Sequence, residues 1–330
     1  MLLVKDENHN PPRNIAMDEY MLTGFTDQVA RLWRNDKAVI IGRNQNAVEE
    51  IDMDFVREHD VTVVRRLSGG GAVFHDLGNI CFTFVTPCGS SDFNNYAKFT
   101  APIRDYLRTL GVQAELSGRN DLTVDGMKIS GNAQTVQGGR IMHHGTLLFS
   151  LNFNDLVGAL RPKDLKIQSK GIKSVRSRVT NIAAHLKTPM TVEQFQAGLE
   201  EYLLRSIPDL KPYTFTARDQ QNIDRLVEQR YTNWDWNFGH SPACDIRHSE
   251  RFDCGIVETA LRLEEGHISQ LTIYGDFFGI RDKAELEQRL CGVRYERAAL
   301  EAALAPLGDQ GLGEYISGIT TGQFCELLLG

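Results

Sequence analysis

Three consecutive glycines, Gly69-Gly70-Gly71, follow the β-type run Val61-Thr62-Val63-Val64 and the pair Arg65-Arg66, and lead into Ala72-Val73-Phe74-His75-Asp76. A loop of this kind lets backbone approach a ligand with no Cβ in the way, and its N–H groups can converge on an anion. The two arginines add forked donors suited to phosphate or carboxylate. The segment lacks the Gly-Lys-Ser/Thr ending of a P-loop and the Gly-x-Gly-x-x-Gly spacing of a dinucleotide fold. The plain alternative is a flexible hairpin loop with solvated arginines. The basic pair before the glycines and His75-Asp76 after them favour the anion-binding reading.

Helical and β-type runs are mixed along the chain rather than strictly alternating. Asn14 is a potential cap for a helix over 15–22, ending at Gly24. The stretch 95–110 spaces Phe99, Ile103, Tyr106, Leu107 and Leu110 on one face, and Thr191 with Gln194 forms a capping-box pattern ahead of Phe195, Leu199 and Leu203. Strands are expected at 38–41, 61–64, 80–85, 121–124, 129–130 and 145–149. Asp125-Gly126 is a two-residue hairpin turn that sets Lys128 and Ser130 just beyond it. This order predicts an α+β, mixed-sheet domain over a doubly wound one. After the helical run 217–231, the aromatic-rich segment Asn233–Pro242 marks a change of composition. Beyond it come strands at 255–263 and 267–274 and helices at 283–290 and 298–304, a small hairpin-plus-helices domain. The expected division is therefore a catalytic domain over 1–245 and an accessory domain over 246–330.

Lys128 is a localised positive charge on a strand, able to bridge a carboxylate and a phosphate if its neighbours converge on it. On its own, a strand lysine is simply solvated. Adjacent His143 and His144 point to opposite faces of a strand and do not easily ligate one metal ion, so one is expected in a pocket and the other at the surface. The segment Arg161–Arg178 carries seven Lys/Arg against one acid, Asp164. It reads as a solvated loop or as a basic loop that folds over phosphates or an acidic partner.

With 330 residues, 42% hydrophobic, the chain has ample material for a core, and its net charge of −7 lacks the footprint of a nucleic-acid binder. Six cysteines occur without a Cys-x-x-Cys or a zinc-finger spacing, so buried free thiols in a reducing compartment are expected. Residues 1–13 do not resemble a signal peptide, and no apolar run approaches the ~20 residues that span a bilayer. The expectation is a cytoplasmic monomer, with no nucleic-acid or membrane partner.

Taken together, these segments resemble the lipoate–protein ligase A family. The resemblance rests on Arg65–Asp76 with Asn79, on Asn120-Asp121-Leu122-Thr123 leading to Lys128-Ile129-Ser130-Gly131, and on His144-Gly145-Thr146-Leu147-Leu148. Lys173–Asn181 and Asn233–Gly239 extend it over nearly the whole chain. It implies the catalytic fold shared by biotin and lipoate protein ligases, plus the small α+β C-terminal domain of the bacterial enzymes. It also implies two half-reactions: lipoate and Mg-ATP give lipoyl-AMP and pyrophosphate, then a lysine takes the acyl group. The acceptors would be lipoyl domains of 2-oxoacid dehydrogenases or the glycine-cleavage H protein. Carried over by residue, Lys128 contacts carboxylate and phosphate and is the catalytic group. Arg66, Gly71, Ala72, Val73 and Phe74, with Asn79, take the nucleotide. The lipoate side takes Ser68, Gly69, Gly70, His75 and His144, with Trp33 joining them, and Arg66, Gly71 and Lys128 touch both substrates. Asp121 is the candidate Mg²⁺ ligand. Met127 is bulkier and less polar than the resemblance leads one to expect.

Two other readings compete. An octanoyl or lipoyl transferase of the same superfamily works through a cysteine thioester without ATP, yet no cysteine occurs from Gly89 to Ala243, and Cys81 lies in an apolar strand. A non-catalytic adenylate-binding regulator would retain the pocket, but Lys128 and the basic segment argue for chemistry.

Overall fold

The computed structural model describes residues 1–118, 120–160, 178–238, 246–264 and 266–330. Contacts divide the chain into two compact units that do not follow a single cut in the sequence. The first comprises 1–41, 48–65 and 73–237; the second comprises 42–47, 66–72 and 238–330. The glycine loop thus packs with the C-terminal part of the chain, although it interrupts the first unit.

The strands of the first unit are β1 (Leu2–Val4), β2 (Val29–Trp33), β3 (Ala38–Ile41), β4 (Thr62–Arg65), β5 (Val73–His75), β6 (Asn79–Pro87), β7 (Glu115–Ser117), β8 (Asp121–Val124), β9 (Met127–Gln137), β10 (Arg140–Leu148) and β11 (Lys211–Tyr213). Among the described residues they form an eight-stranded sheet, β11-β1-β2-β6-β10-β9-β8-β7, and a three-stranded one, β4-β3-β5. Pairing is parallel in β11-β1-β2 and β3-β4 and antiparallel elsewhere, the mixed α+β arrangement that the sequence predicts.

Strand alternation sorts the large sheet into two faces. Ile80, Phe82, Phe84 and Leu147 join a core with Ile103 and Leu107 of the helix Tyr96–Thr109 and with Phe195, Leu199 and Leu203 of the helix Val192–Ser206. Fully burying one such side chain contributes about 1.5–3 kcal/mol, so this face holds the unit together. The opposite face presents Cys81, Thr83 and His144, with the helix Pro11–Gly24 contacting β6 and β10. The cap of that helix lies four residues before the expected one. Asn10 caps it by accepting from the Arg13 N–H, and Pro11-Pro12 occupy its first turn, where a missing N–H costs nothing. Asn14 is instead a buried interior residue. The helix expected over 95–110 runs Tyr96–Thr109 with Asn95 as its cap, and the helix Val192–Ser206 begins at the expected Thr191–Gln194 capping box.

In the second unit, β12 (Ile246–Phe252), β13 (Gly255–Glu264) and β14 (His267–Gly275) form an antiparallel sheet. It buries Leu261 and Ile273 against Leu286, Leu300, Leu312, Phe324 and Leu328 of four helices, 283–290, 297–304, 308–315 and 321–329. The sequence reading anticipates the hairpin and the first two helices only. Among the described residues Cys81, Cys254 and Cys325 are buried free thiols, whereas Cys88 is half-buried and Cys291 exposed, which corrects the expectation that the thiols are buried. No helix among them is long and apolar enough to cross a membrane.

Candidate active site

Of the three glycines in the loop, two have a structural reason to lack a side chain, a different one in each case. A Cβ on Gly69 would lie 2.3 Å from the Phe277 carbonyl oxygen, so close packing excludes it. Gly70 has φ +91°, a backbone state that side chains disfavour, and the Phe278 ring stands 3.1 Å from where its Cβ would be. A Cβ on Gly71 meets nothing within 4 Å. Of the three, Gly71 alone has no internal reason to be glycine.

Arg66 is buried rather than solvated, and its guanidinium ties the loop together. Nη2 donates to the Gly69 carbonyl at 2.7 Å and to that of Gly71 at 2.9 Å, while Nε donates to Ser68 Oγ at 3.1 Å. The Ser68 carbonyl accepts from the Arg43 N–H at 2.9 Å, and Asn44 accepts from Gly275, so segments 42–47, 66–72 and the end of β14 form one body. Arg65, in the first unit, is equally buried. It donates to the carbonyls of Trp236 and Asn237, and its own carbonyl accepts from Trp236 Nε1. The solvated-arginine reading is therefore ruled out for both.

Lys128 sits where the hairpin β8–β9 places it. Asp125 and Gly126 take φ of 51° and 75°, the paired left-handed turn that Asp-Gly favours. The Lys128 backbone is held on both sides. Its N–H donates to Arg178 and its carbonyl accepts from Thr180, while Thr123 lies opposite across a register shift. The ammonium lies 2.9 Å from Asp121 Oδ1, and both side chains are about one-third exposed. A Cβ on Gly131 would come within 3.0 Å of Nζ, so this glycine makes room for the lysine to fold back across its own strand. A half-exposed pair of this kind stabilises by about 0–1 kcal/mol. It can be exchanged for a bound anion at little cost.

The remaining first-unit candidates cluster around one buried polar network. Trp33, Cys81 and Thr146 are successive partners across β2, β6 and β10, and Thr146 Oγ accepts from the Gly131 N–H at 3.2 Å. Beside this row, Asp18 accepts from Thr83 Oγ at 2.9 Å and lies 3.1 Å from His144 Nδ1, and Thr83 Oγ accepts from Trp33 Nε1 at 3.0 Å. Arg31 is wholly buried and donates to Asn14, which donates to Asn35; Asn35 lies 3.1 Å from His75 Nδ1. Burial pushes the Arg31 guanidinium below its usual range, while Asp18 and Asp6 act to restore it. Cys81 Sγ is 3.7 Å from His75 Nδ1 and accepts from Asn79 Nδ2 at 3.3 Å, leaving the buried Asn79 Oδ1 without a partner. Burial, followed by the charge of Asp18, drives the Cys81 thiol well above its ordinary pKa. Phe74 is buried in the small sheet, and Val73 lies beside it opposite Ile40.

The structure brings Trp33, His75, Asn79 and His144 into this network, sets Lys128 beside Asp121, and groups Arg66 through Ala72 in the other unit. It corrects one expectation: neither histidine of the pair is at the surface. They do point to opposite faces, but His143 is fully buried in the helix-covered core and His144 is buried on the other side. Asp18, Arg31 and Thr83 escape sequence reading because a helix acid, a strand arginine and a strand threonine are ordinarily solvent-facing. The segment 161–177, and with it most of the basic stretch, lies outside the described residues. Among the described residues no group of three or more His, Cys, Asp or Glu side chains could hold a metal ion.

Comparison with known proteins identifies the family. The family model described as "Lipoyl protein ligase A/B catalytic domain" matches residues 10–204, and "Bacterial lipoate protein ligase C-terminus" matches residues 241–328. The chain belongs to the lipoate–protein ligase family and is a ligase. Lipoate-protein ligase LplJ of Bacillus subtilis is 43% identical over 99% of this chain and 100% of its own length. The P. falciparum protein LipL1, solved in complex with lipoate, superposes with a TM-score of 0.77 at 25% identity, covering 93% of this chain and 94% of that one. A lipoate-protein ligase A solved with ATP bound superposes at 0.63 and 26% identity, covering 72% and 98%.

Proposed function

We propose that this ligase activates lipoate with ATP and passes the lipoyl group to a lysine of a lipoyl-domain protein. In the first step a lipoate carboxylate oxygen attacks the α-phosphorus, and the bond to pyrophosphate breaks. In the second, an acceptor amine attacks the acyl carbon and AMP leaves. The observation that carries this reading is Lys128, a cation whose backbone is fixed on both sides and whose ion-pair partner among the described residues, Asp121, is weakly held. Adenylation joins two anions, so a positioned ammonium offsets their repulsion and the charge that builds on the phosphate.

Arg66, Gly71 and Ala72, with Val73, Phe74 and Asn79, take the nucleotide. Phe74, being buried, contributes backbone rather than ring. Ser68, Gly69, Gly70, His75, His144 and Trp33 take the acyl group, and the network around Asp18 fixes the last three. Asp121, already paired with Lys128, is the carboxylate that would hold a magnesium ion, which would help to neutralise the phosphates of the nucleotide. Acceptors are lipoyl domains of 2-oxoacid dehydrogenases or the glycine-cleavage H protein. The working form is a cytoplasmic monomer with its catalytic segment over 1–245 and its accessory segment over 246–330. Lipoate-dependent exchange of pyrophosphate into ATP tests the first step, and its absence would refute the reading.

The thioester alternative is disfavoured by Cys81. It approaches His75, but burial holds it as a thiol at neutral pH, and a thiol is a poor nucleophile.

A further inference from the structure

Behind the strand that carries Lys128, on the face covered by the core helices, runs a chain of hydrogen bonds whose middle members, Gln134, His143 and Asn132, are buried. The Asn94 N–H donates to Gln134 Oε1 at 2.7 Å, and Gln134 Nε2 donates to His143 Nδ1 at 3.1 Å. The proton must then sit on the other ring nitrogen, so His143 Nε2–H donates to Asn132 Oδ1 at 3.2 Å. Asn132 Nδ2 in turn donates to the Asn120 carbonyl at 2.9 Å and to Ser130 Oγ at 3.2 Å. Asn120 answers with its own amide to the Asn132 carbonyl at 2.6 Å, and accepts from the Asn132 N–H at 3.0 Å.

The chain ends on Asn120, which immediately precedes Asp121 at the start of β8, and on Ser130, two residues after Lys128 on β9. Two features mark it as built for that end. A Cβ on Gly145 would come 2.2 Å from Asn132 Oδ1, so the neighbouring strand is cut back to let this side chain pass. His143 is also locked flat, stacked on Phe99 at 4.9 Å and 14° with the Tyr96 ring edge-on. Burial, then the charge of His144, holds its pKa well below the ordinary value, so the ring stays neutral and keeps one tautomer.

We infer that His143 is a positioning residue for adenylation, acting through Asn132 to fix the β8–β9 corner from which Lys128 and Asp121 project. This rests on the reading of Lys128 as the group that meets the substrates. A displacement of about 1 Å in such a group lowers turnover by about 10²-fold, while substrate binding, which Lys128 shares with the other nucleotide-side and acyl-side residues, changes less.

The test compares His143→Phe and His143→Gln in the full-length chain by lipoate-dependent ATP–pyrophosphate exchange, with Lys128→Leu alongside. Phenylalanine keeps the stacking and removes both hydrogen bonds; glutamine restores the donor to Asn132. The expected result is a loss of kcat of about 10–100-fold for the Phe variant. Its lipoate KM should stay within threefold, and the Gln variant should recover most of the rate. Unchanged kcat in the Phe variant, or an equal loss in both variants with KM rising in step, overturns the inference. Should the Phe variant not fold, Asn120→Ala reads the same chain from its half-buried end: a kcat-only loss supports the inference and an unchanged kcat overturns it. If Lys128→Leu retains full exchange, the underlying reading fails. If it is inactive while His143→Phe is normal, only the inference fails.

Discussion

The Lys128 ammonium and the Asp121 carboxylate lie 2.9 Å apart on adjacent strands, and the lysine reaches its partner by folding over Gly131, where a Cβ would stand 3.0 Å from its ammonium. The pair is half exposed, so it does little for stability and leaves the cation available. Replacing Lys128 by Leu should therefore lower lipoate-dependent exchange by about 10²–10³-fold. The melting temperature should stay within about 3 °C, because the lost pair is a weak one. Parallel exchange assays and thermal melts check both halves of the expectation.

The glycines of the loop should separate under substitution. Gly70→Ala forces a side chain into a left-handed backbone and against Arg66 and Phe278, and should cost about 1–2 kcal/mol of stability. Gly71→Ala meets open space and should change stability by less than about 0.5 kcal/mol. If Gly71 is open because a nucleotide approaches it, the ATP KM should rise severalfold in the second variant alone. Denaturant melts and initial-rate kinetics distinguish them.

Asp219 supplies a pH signature for the fold. Burial raises its pKa, but hydrogen bonds from Tyr20, Tyr213 and Thr216 outweigh this and bring it down to about 2, against 3.8 ordinarily. A carboxylate with a depressed folded pKa contributes fully above its unfolded value and loses that contribution as pH falls toward the folded one. Asp219→Asn should thus destabilise by about 1.5–3 kcal/mol at pH 7, with the gap closing between pH 4 and pH 2. Urea melts across that range provide the check.

Cys81 decides between ligase and thioester chemistry. Cys81→Ala should leave exchange and acceptor modification within about threefold of the parent, at a stability cost of about 1 kcal/mol for a small buried cavity. Loss of transfer with a trapped acyl–cysteine adduct in the parent, read by mass spectrometry, would reverse the assignment.

Much of this architecture is legible in the residues themselves. Asp125-Gly126 announces the hairpin that delivers Lys128, and Thr191 with Gln194 announces a helix start, because each depends on chemistry confined to a few neighbouring residues. The helix Pro11–Gly24 is misread at its start since two prolines resemble a break, yet they occupy the one turn where proline is harmless. Strand β2 is missed because Arg31 interrupts its apolar pattern; only the three-dimensional network of Asn14 and Asp6 shows how a buried guanidinium is accommodated.

The site is legible in kind but not in detail. Arg65 and Arg66 look like free donors in the sequence, whereas both are occupied by backbone carbonyls, some of them 171 and 172 residues away. Long-range partners leave no local trace. The same holds for His143, whose role depends on what stands across the sheet rather than beside it in the chain.

Because the second unit is assembled from three separate stretches of sequence, the protein is not modular in the sense a gene-fusion experiment requires. A fragment over 238–330 would lack two of its own parts, and a fragment over 1–237 would carry them without the Phe277–Phe278 corner on which Gly69 and Gly70 pack. Severed genes for this enzyme would have to be co-expressed and re-paired, because the N-terminal piece encodes two of the three stretches that complete the second unit.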